Sequence, residues 1–253
     1  MPRTASSPTA GRTRPTGGAR TAGRTKAPAA PDLRVESGLL GPGDALVAGC
    51  DEVGRGALAG PVTVGVVVVD PVAAEVLAGP RDSKLLSAAA REALVAPIRE
   101  WALGWGVGHA SPAEIDDVGL SAAVGLAGRR ALEAASTIHR PDVVLVDGNY
   151  DWLSPRPQAS LFEAALTIAS QDAEPGPPFP RVSTRVKADL ACLSVAAASV
   201  LAKVERDRLM VQYHEEEPHF CWAENKGYGT DTHRAALRAH GPSARHRRSW
   251  RLV

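Results

Sequence analysis

The chain has 253 residues, 44% hydrophobic and only 4% aromatic, enough for one large domain or two small ones with a core of Ala, Val and Leu. It contains no apolar run long enough to span a bilayer and no secretory h-region, and its three wide-spaced cysteines (Cys50, Cys192, Cys221) exclude a disulfide framework or Cys-rich zinc site and point to a reducing cytoplasm. The net charge of +1 hides six basic and no acidic side chains in residues 1–31, so the remainder carries 23 basic against 28 acidic groups and lacks the overall basicity usual in nucleic-acid binders.

Residues 1–42 are rich in Ala, Thr, Pro, Gly and Arg without period, and are predicted to be a disordered basic tail. Such a tail is either simply solvated or adds nonspecific attraction to phosphates. The folded domain is expected over 43–253. Ala45–Asp51 reads as a strand, and after a Gly-rich turn Pro61–Asp70 reads as a second, strongly β-branched one, the two pairing as a hairpin. Ser87 is placed to cap a helix over Ala88–Leu103, with a kink or early stop at Pro97. A third strand over Leu103–Ala110 precedes a capping box, Ser111-Pro112-Ala113-Glu114, and a helix over Ser121–Thr137. Asp142–Asp147 is a short buried strand ending in a carboxylate.

The Pro-rich stretch 153–180 reads as a loop insertion. Arg181–Lys187 is a candidate strand. Leu190–His214 has the strongest helical pattern, with Leu193, Ala197, Val200, Leu201 and Val204 at helical spacing. Thr230 is placed to cap a last helix ended by Gly241. The order of elements implies an α/β fold with a mixed sheet.

Four carboxylates stand where a metal site would use them. Asp51 closes the first expected strand, Glu52 follows it, Asp147 closes a later strand, and Asp189 precedes the long helix. A carboxylate ending an apolar strand is costly to bury unless it is paired or ligates a metal. Oxygen ligands without His or Cys suit Mg²⁺ or Mn²⁺. Taken one at a time, each acid also reads as an ordinary turn or cap residue.

Seven blocks, in order, carry a resemblance: Asp51-Glu52-Val53-Gly54-Arg55-Gly56 with Ala59-Gly60-Pro61-Val62; Asp82-Ser83-Lys84-Leu85-Leu86-Ser87; Val146-Asp147-Gly148-Asn149; Val186-Lys187-Ala188-Asp189; Ser194–Lys203 through Arg206-Asp207; Lys226-Gly227-Tyr228-Gly229-Thr230; and His246-Arg247-Arg248-Ser249. Together they resemble the ribonuclease HII family over about residues 45–250. The resemblance implies a ribonuclease H-like fold, a mixed central sheet flanked by helices with a helical C-terminal region. It implies an endonuclease that cuts the RNA strand of RNA–DNA hybrids, or ribonucleotides embedded in duplex DNA, leaving 3′-hydroxyl and 5′-phosphate ends. Asp51, Glu52, Asp147 and Asp189 match the family's metal-site acids, which hold Mg²⁺ or Mn²⁺, two ions with substrate bound. Gly54, Arg55 and Gly56 match the segment whose backbone senses the ribose 2′-hydroxyl, and Tyr228 the tyrosine that stacks on a sugar at the RNA–DNA junction. Lys84, Lys187, Lys203 and Lys226 are candidate phosphate contacts, with Lys84 and Lys226 set above the alternative of a solvated surface lysine.

Read without the resemblance, the Gly-rich segment is a plain hairpin turn, Tyr228 a half-buried core residue and the lysines solvated. The run Arg245–Arg248 either touches the duplex or is a solvated end. Two features depart from the family pattern: 41 residues separate Asp147 from Asp189, more than a compact bacterial member needs, and Leu85 stands where a second lysine is common. The rival functions are another nuclease on the same fold and a noncatalytic hybrid-binding protein. No membrane association and no obligate protein partner are expected.

Overall fold

A computed structural model describes residues 30–80, 83–155 and 178–253. The expected tail over 1–29, most of the expected insertion (156–177) and Asp82 lie outside the described residues.

Five strands form one mixed sheet: β1 Val47–Val53, β2 Val62–Val69, β3 Gly104–Ala110, β4 Val143–Asp147 and β5 Arg181–Arg185, in the order β3-β2-β1-β4-β5. β1, β2 and β3 pair antiparallel, as the hairpin reading requires, whereas β4 and β5 join parallel to β1. All eight residues of β2 are buried, because helices cover both faces of the sheet and β-branched side chains fill each side. On one face Val64, Val66 and Val68 pack with Ala127 and Ala131 of α4 (Leu120–Ala135). On the other, Val67 and Val69 meet α2 (Ala88–Trp101) and the long helix that follows β5, α5 (Leu193–Glu216). Close approach of α5 depends on two glycines: a Cβ on Gly49 would lie 2.3 Å from the Val195 nitrogen, and one on Gly65 2.3 Å from the Ala198 carbonyl oxygen.

The capping box at Ser111 is present and opens α3 (Pro112–Val118). Thr230 caps α7 (Asp231–His240), which ends at Gly241 and follows the short α6 (Trp222–Asn225). Two expectations are corrected. Of the kink or early stop expected at Pro97, the early stop does not occur, and the helix over residues 88–101 continues through the proline. The carbonyl that Pro97 leaves without a donor belongs to exposed Ala93 and is open to water, while buried Val95 and Ile98 hold the helix on the core. Second, the predicted disordered tail over 1–42 does not extend to 30–42. Leu33 is buried, Arg34–Leu39 forms α1, and Asp32 bridges to Cys192. Glu36, fully buried, accepts from the Ser194 amide (2.9 Å) and hydroxyl (2.8 Å), and so caps α5 from a distant part of the chain.

Candidate active site

Strand β1 runs on through Asp51 and Glu52 to Val53, so Asp51 lies inside the strand and does not close it, as the sequence had suggested. The ladder with β2 continues that far, pairing Asp51 with Gly65 and Glu52 with Val64. The parallel ladder with β4 reaches Cys50–Val146, one residue short of Asp51 and Asp147, which therefore sit side by side on central strands about 5 Å apart. Both follow the parity of residues packed under α5. Asp189 lies in the 3₁₀ turn Ala188–Leu190 before α5, and the Ala188 amide donates to Asp147 (2.8 Å). The end of β4 is thus tied to the turn that carries Asp189, although many residues intervene in sequence.

Asp51 is 6% exposed and Asp189 5%. Burial pushes the Asp51 carboxyl up to about 8, with the charges of Glu52, Asp147 and Asp189 adding to the rise. The Ser199 hydroxyl on α5 meets the Asp51 carboxylate and opposes this shift; it also lies 2.9 Å from the hydroxyl of Ser83. Burial likewise raises Glu52, against the pull of Arg55, whose guanidinium donates to Glu52 at 3.0 Å. The other Glu52 carboxylate oxygen is buried without a hydrogen-bond partner among the described residues. Among the described residues no three His, Cys, Asp or Glu side chains close into a ready metal cage. Glu52, Asp147 and Asp189 instead lie within electrostatic range of Asp51, a donor set of hard oxygens with surplus negative charge.

Beside them runs the loop 54–61. Gly54 has φ +86°, and a Cβ there would lie 2.1 Å from Arg206 Nε. Two fully buried arginines hold this loop by its carbonyls. Arg206, on α5, donates to Pro61 (2.9 Å), Ala59 (3.1 Å) and Lys226 (2.9 Å); Arg247 donates to Gly54 (2.6 Å), Arg55 (2.7 Å) and Gly60 (3.1 and 3.2 Å). Burial lowers both guanidinium pKa values, that of Arg247 to about 9. The Gly227 carbonyl accepts from the amides of Leu58 and Ala59. Gly54, Arg55, Gly56, Lys226 and Tyr228 are therefore brought together. Tyr228 is 38% exposed, with its ring 5.7 Å from the Arg206 guanidinium.

Lys84 is exposed on the 3₁₀ turn Ser83–Leu85, whose buried Ser83 connects through Ser199 to Asp51. Lys226 is half-buried and its ammonium meets the Ala223 carbonyl. Lys187 is exposed at the start of the turn that carries Asp189, and Lys203 pairs with Asp207 at 2.7 Å. The basic run at 245–248 is not simply a solvated end, although the Arg248 side chain is exposed. Arg245 pairs with Glu216 and Glu217, His246 and Arg247 are buried, and the Arg248 amide donates to Asp116. Sequence reasoning missed Arg206 and Arg247 as parts of the site. The available signal for Arg206 was its place four residues after Ala202 and four before Met210, on the buried stripe of α5.

The family described as Ribonuclease HII matches this chain over residues 48–253. The chain belongs to the ribonuclease HII family. It is 42% identical over 208 residues to the ribonuclease HII of Streptomyces coelicolor, covering 82% of this chain and 78% of that one. It is also 42% identical over 207 residues to that of Nitrosococcus oceani, covering 82% and 89%. The crystal structure of the ribonuclease H2 from Pyrococcus horikoshii superposes with a TM-score of 0.58 at 28% identity, over 82% of this chain and 94% of that one. The crystal structure of Bst-RNase HIII in complex with Mn²⁺ shares the fold, with a TM-score of 0.56 at 21% identity, over 79% and 64%. The α/β, ribonuclease H-like architecture implied by the sequence is the one observed, and family membership makes the protein a ribonuclease H endonuclease that acts on RNA–DNA hybrids. No described helix is long and apolar enough to cross a membrane.

Proposed function

We propose that this endonuclease hydrolyses the RNA strand of hybrids, and ribonucleotides embedded in duplex DNA, at a divalent-metal centre held by Asp51, Glu52, Asp147 and Asp189, giving 3′-hydroxyl and 5′-phosphate ends. The observation that carries the reading is the crowding of these acids, with Asp51 pushed up to about 8 and one Glu52 oxygen buried without a hydrogen-bond partner among the described residues. Anions facing a phosphate backbone weaken binding unless a cation sits between them. The hard oxygen donors fit Mg²⁺ or Mn²⁺, two in the substrate complex. When bound, such ions lower the pKa of a water and offset charge on the leaving oxygen.

The chain's own residues hold the substrate. Lys84 and Lys226 contact phosphates, which fixes register without reading sequence. The backbone of Gly54, Arg55 and Gly56 lies against the ribose and tests for its 2′-hydroxyl, the group that separates RNA from DNA. Tyr228 packs on the neighbouring sugar. Three free thiols, with Cys50 and Cys192 buried, suit a reducing cytoplasm. Calorimetric titration of Mg²⁺ and Mn²⁺ tests the acid quartet: wild type binds both ions, and Asp147→Asn weakens binding at least tenfold. Equal affinity in the two proteins sinks the assignment and favours a noncatalytic hybrid-binding role.

A further inference from the structure

The loop Gly54–Pro61 has an unusual division of its backbone groups. The carbonyls of Gly54, Arg55, Ala59, Gly60 and Pro61 all accept from the guanidinium groups of Arg206 or Arg247. Both arginines are fully buried, and neither forms an ion pair within 4.0 Å among the described residues. A buried guanidinium without a carboxylate is costly and persists only when its planar fork of donors is satisfied. Here the fork is satisfied by the loop's carbonyls, which in turn are drawn into the protein.

The opposite edge is left with donors. Among the described residues no hydrogen bond takes up the amide of Arg55 or of Gly56. Gly56 is exposed, and the space where a Cβ would sit is open. The Arg55 side chain is turned to Glu52, so it does not cover that edge. The loop therefore presents N–H groups outward because its carbonyls are held inward.

We propose that Arg206 and Arg247 are positioning residues for 2′-hydroxyl recognition: by capturing the carbonyls of residues 54–61 they orient the Arg55 and Gly56 amides as donors to the ribose oxygen. The same pair ties this edge to the sugar-packing segment, since Arg206 also holds the Lys226 carbonyl and lies against Tyr228. Neither arginine touches the substrate. The proposal rests on the reading of Gly54-Arg55-Gly56 as the ribose sensor.

The test uses two numbers measured with Mg²⁺ or Mn²⁺. One is KM for a duplex carrying a single ribonucleotide; the other is Ki of the identical all-DNA duplex as competitor. Their ratio reports the preference for a 2′-hydroxyl. In wild type KM lies well below Ki. Arg247→Lys keeps the charge but replaces the fork with a point donor, so KM rises about tenfold while Ki stays unchanged. Arg206→Lys moves KM in the same direction, and carries the test if Arg247→Lys fails to fold by circular dichroism. A merely structural role lowers the active fraction and kcat and leaves KM/Ki at the wild-type value, which overturns the inference. Equal KM and Ki in wild type instead overturns the sensor reading beneath it.

Discussion

Replacing Asp51 with Asn removes one charge from a buried group of four acids. The expected loss of turnover is on the order of a thousandfold, with duplex binding largely kept. The same substitution has an opposite effect on stability. The folded Asp51 carboxyl stands at about 8, against 3.8 ordinarily, so its contribution to stability is fully present below pH 3.8 and is lost as pH rises through 8. In metal-free protein above pH 8, Asp51→Asn therefore melts at a higher temperature than wild type, and added Mg²⁺ narrows the gap. A lower melting temperature for the variant at that pH contradicts the repulsion. A charge within an apolar run, as in Val47–Val53 or Val143–Asp147, draws attention to Asp51, Glu52 and Asp147, but each alone also reads as a turn or cap residue, and the resemblance of the surrounding blocks joins them with Asp189. Arg206 and Arg247 were not legible, because an arginine late in a helix or in a basic terminal run reads as surface. Their partners are backbone carbonyls, which every residue has and no pattern marks.

The elements followed from periodicity where one face is apolar, and not where a distant contact decides. The strands and α4 fall within a few residues of their predicted ends. Helix α1 escaped because its stability comes from Glu36 reaching the first turn of α5, nearly 160 positions away in the chain. Glu36→Ala removes that cap and is expected to cost about 1–2 kcal/mol, whereas Glu36→Gln, which still accepts, costs less; chemical denaturation separates them. The sheet–helix seam is stricter. Gly49→Ala places a methyl into the α5 backbone and is expected to cost about 3 kcal/mol or more, shifting the denaturation midpoint without changing its slope. A near-neutral Gly49→Ala contradicts the close packing of β1 on α5.

Over the whole molecule, the C-terminal region is closed by two buried imidazoles. Trp222 Nε1 donates to His233 Nε2 (3.1 Å), the Ser243 amide donates to His246 Nδ1 (3.1 Å), and His233 Nδ1 lies 2.9 Å from the Tyr228 carbonyl. These partners favour the Nδ1–H form of His233 and the Nε2–H form of His246, whose N–H shares the single lone pair of His233 Nε2 with Trp222 across 3.1 Å. Both are neutral. Burial, then the neighbouring His233, lowers His246 from 6.5 to about 4. Its stability contribution is present above pH 6.5 and is lost as pH falls toward 4, because the unfolded chain takes up the proton first. The melting temperature is expected to drop across that window, less steeply in His246→Gln; parallel curves contradict the network. None of this was visible in the sequence, where the two histidines stand apart in blocks that read as a helix and a charged end.

The most direct measurement is cleavage of a labelled DNA duplex carrying one embedded ribonucleotide, with Mg²⁺, Mn²⁺ or EDTA, beside the same duplex made wholly of DNA. The expected result is a single cut on the 5′ side of the ribonucleotide that needs divalent metal, leaves a 3′-hydroxyl and spares the all-DNA duplex. Folded protein that cuts neither duplex with either metal, or that cuts in EDTA, contradicts the assignment of Asp51, Glu52, Asp147 and Asp189 as a metal-holding catalytic centre.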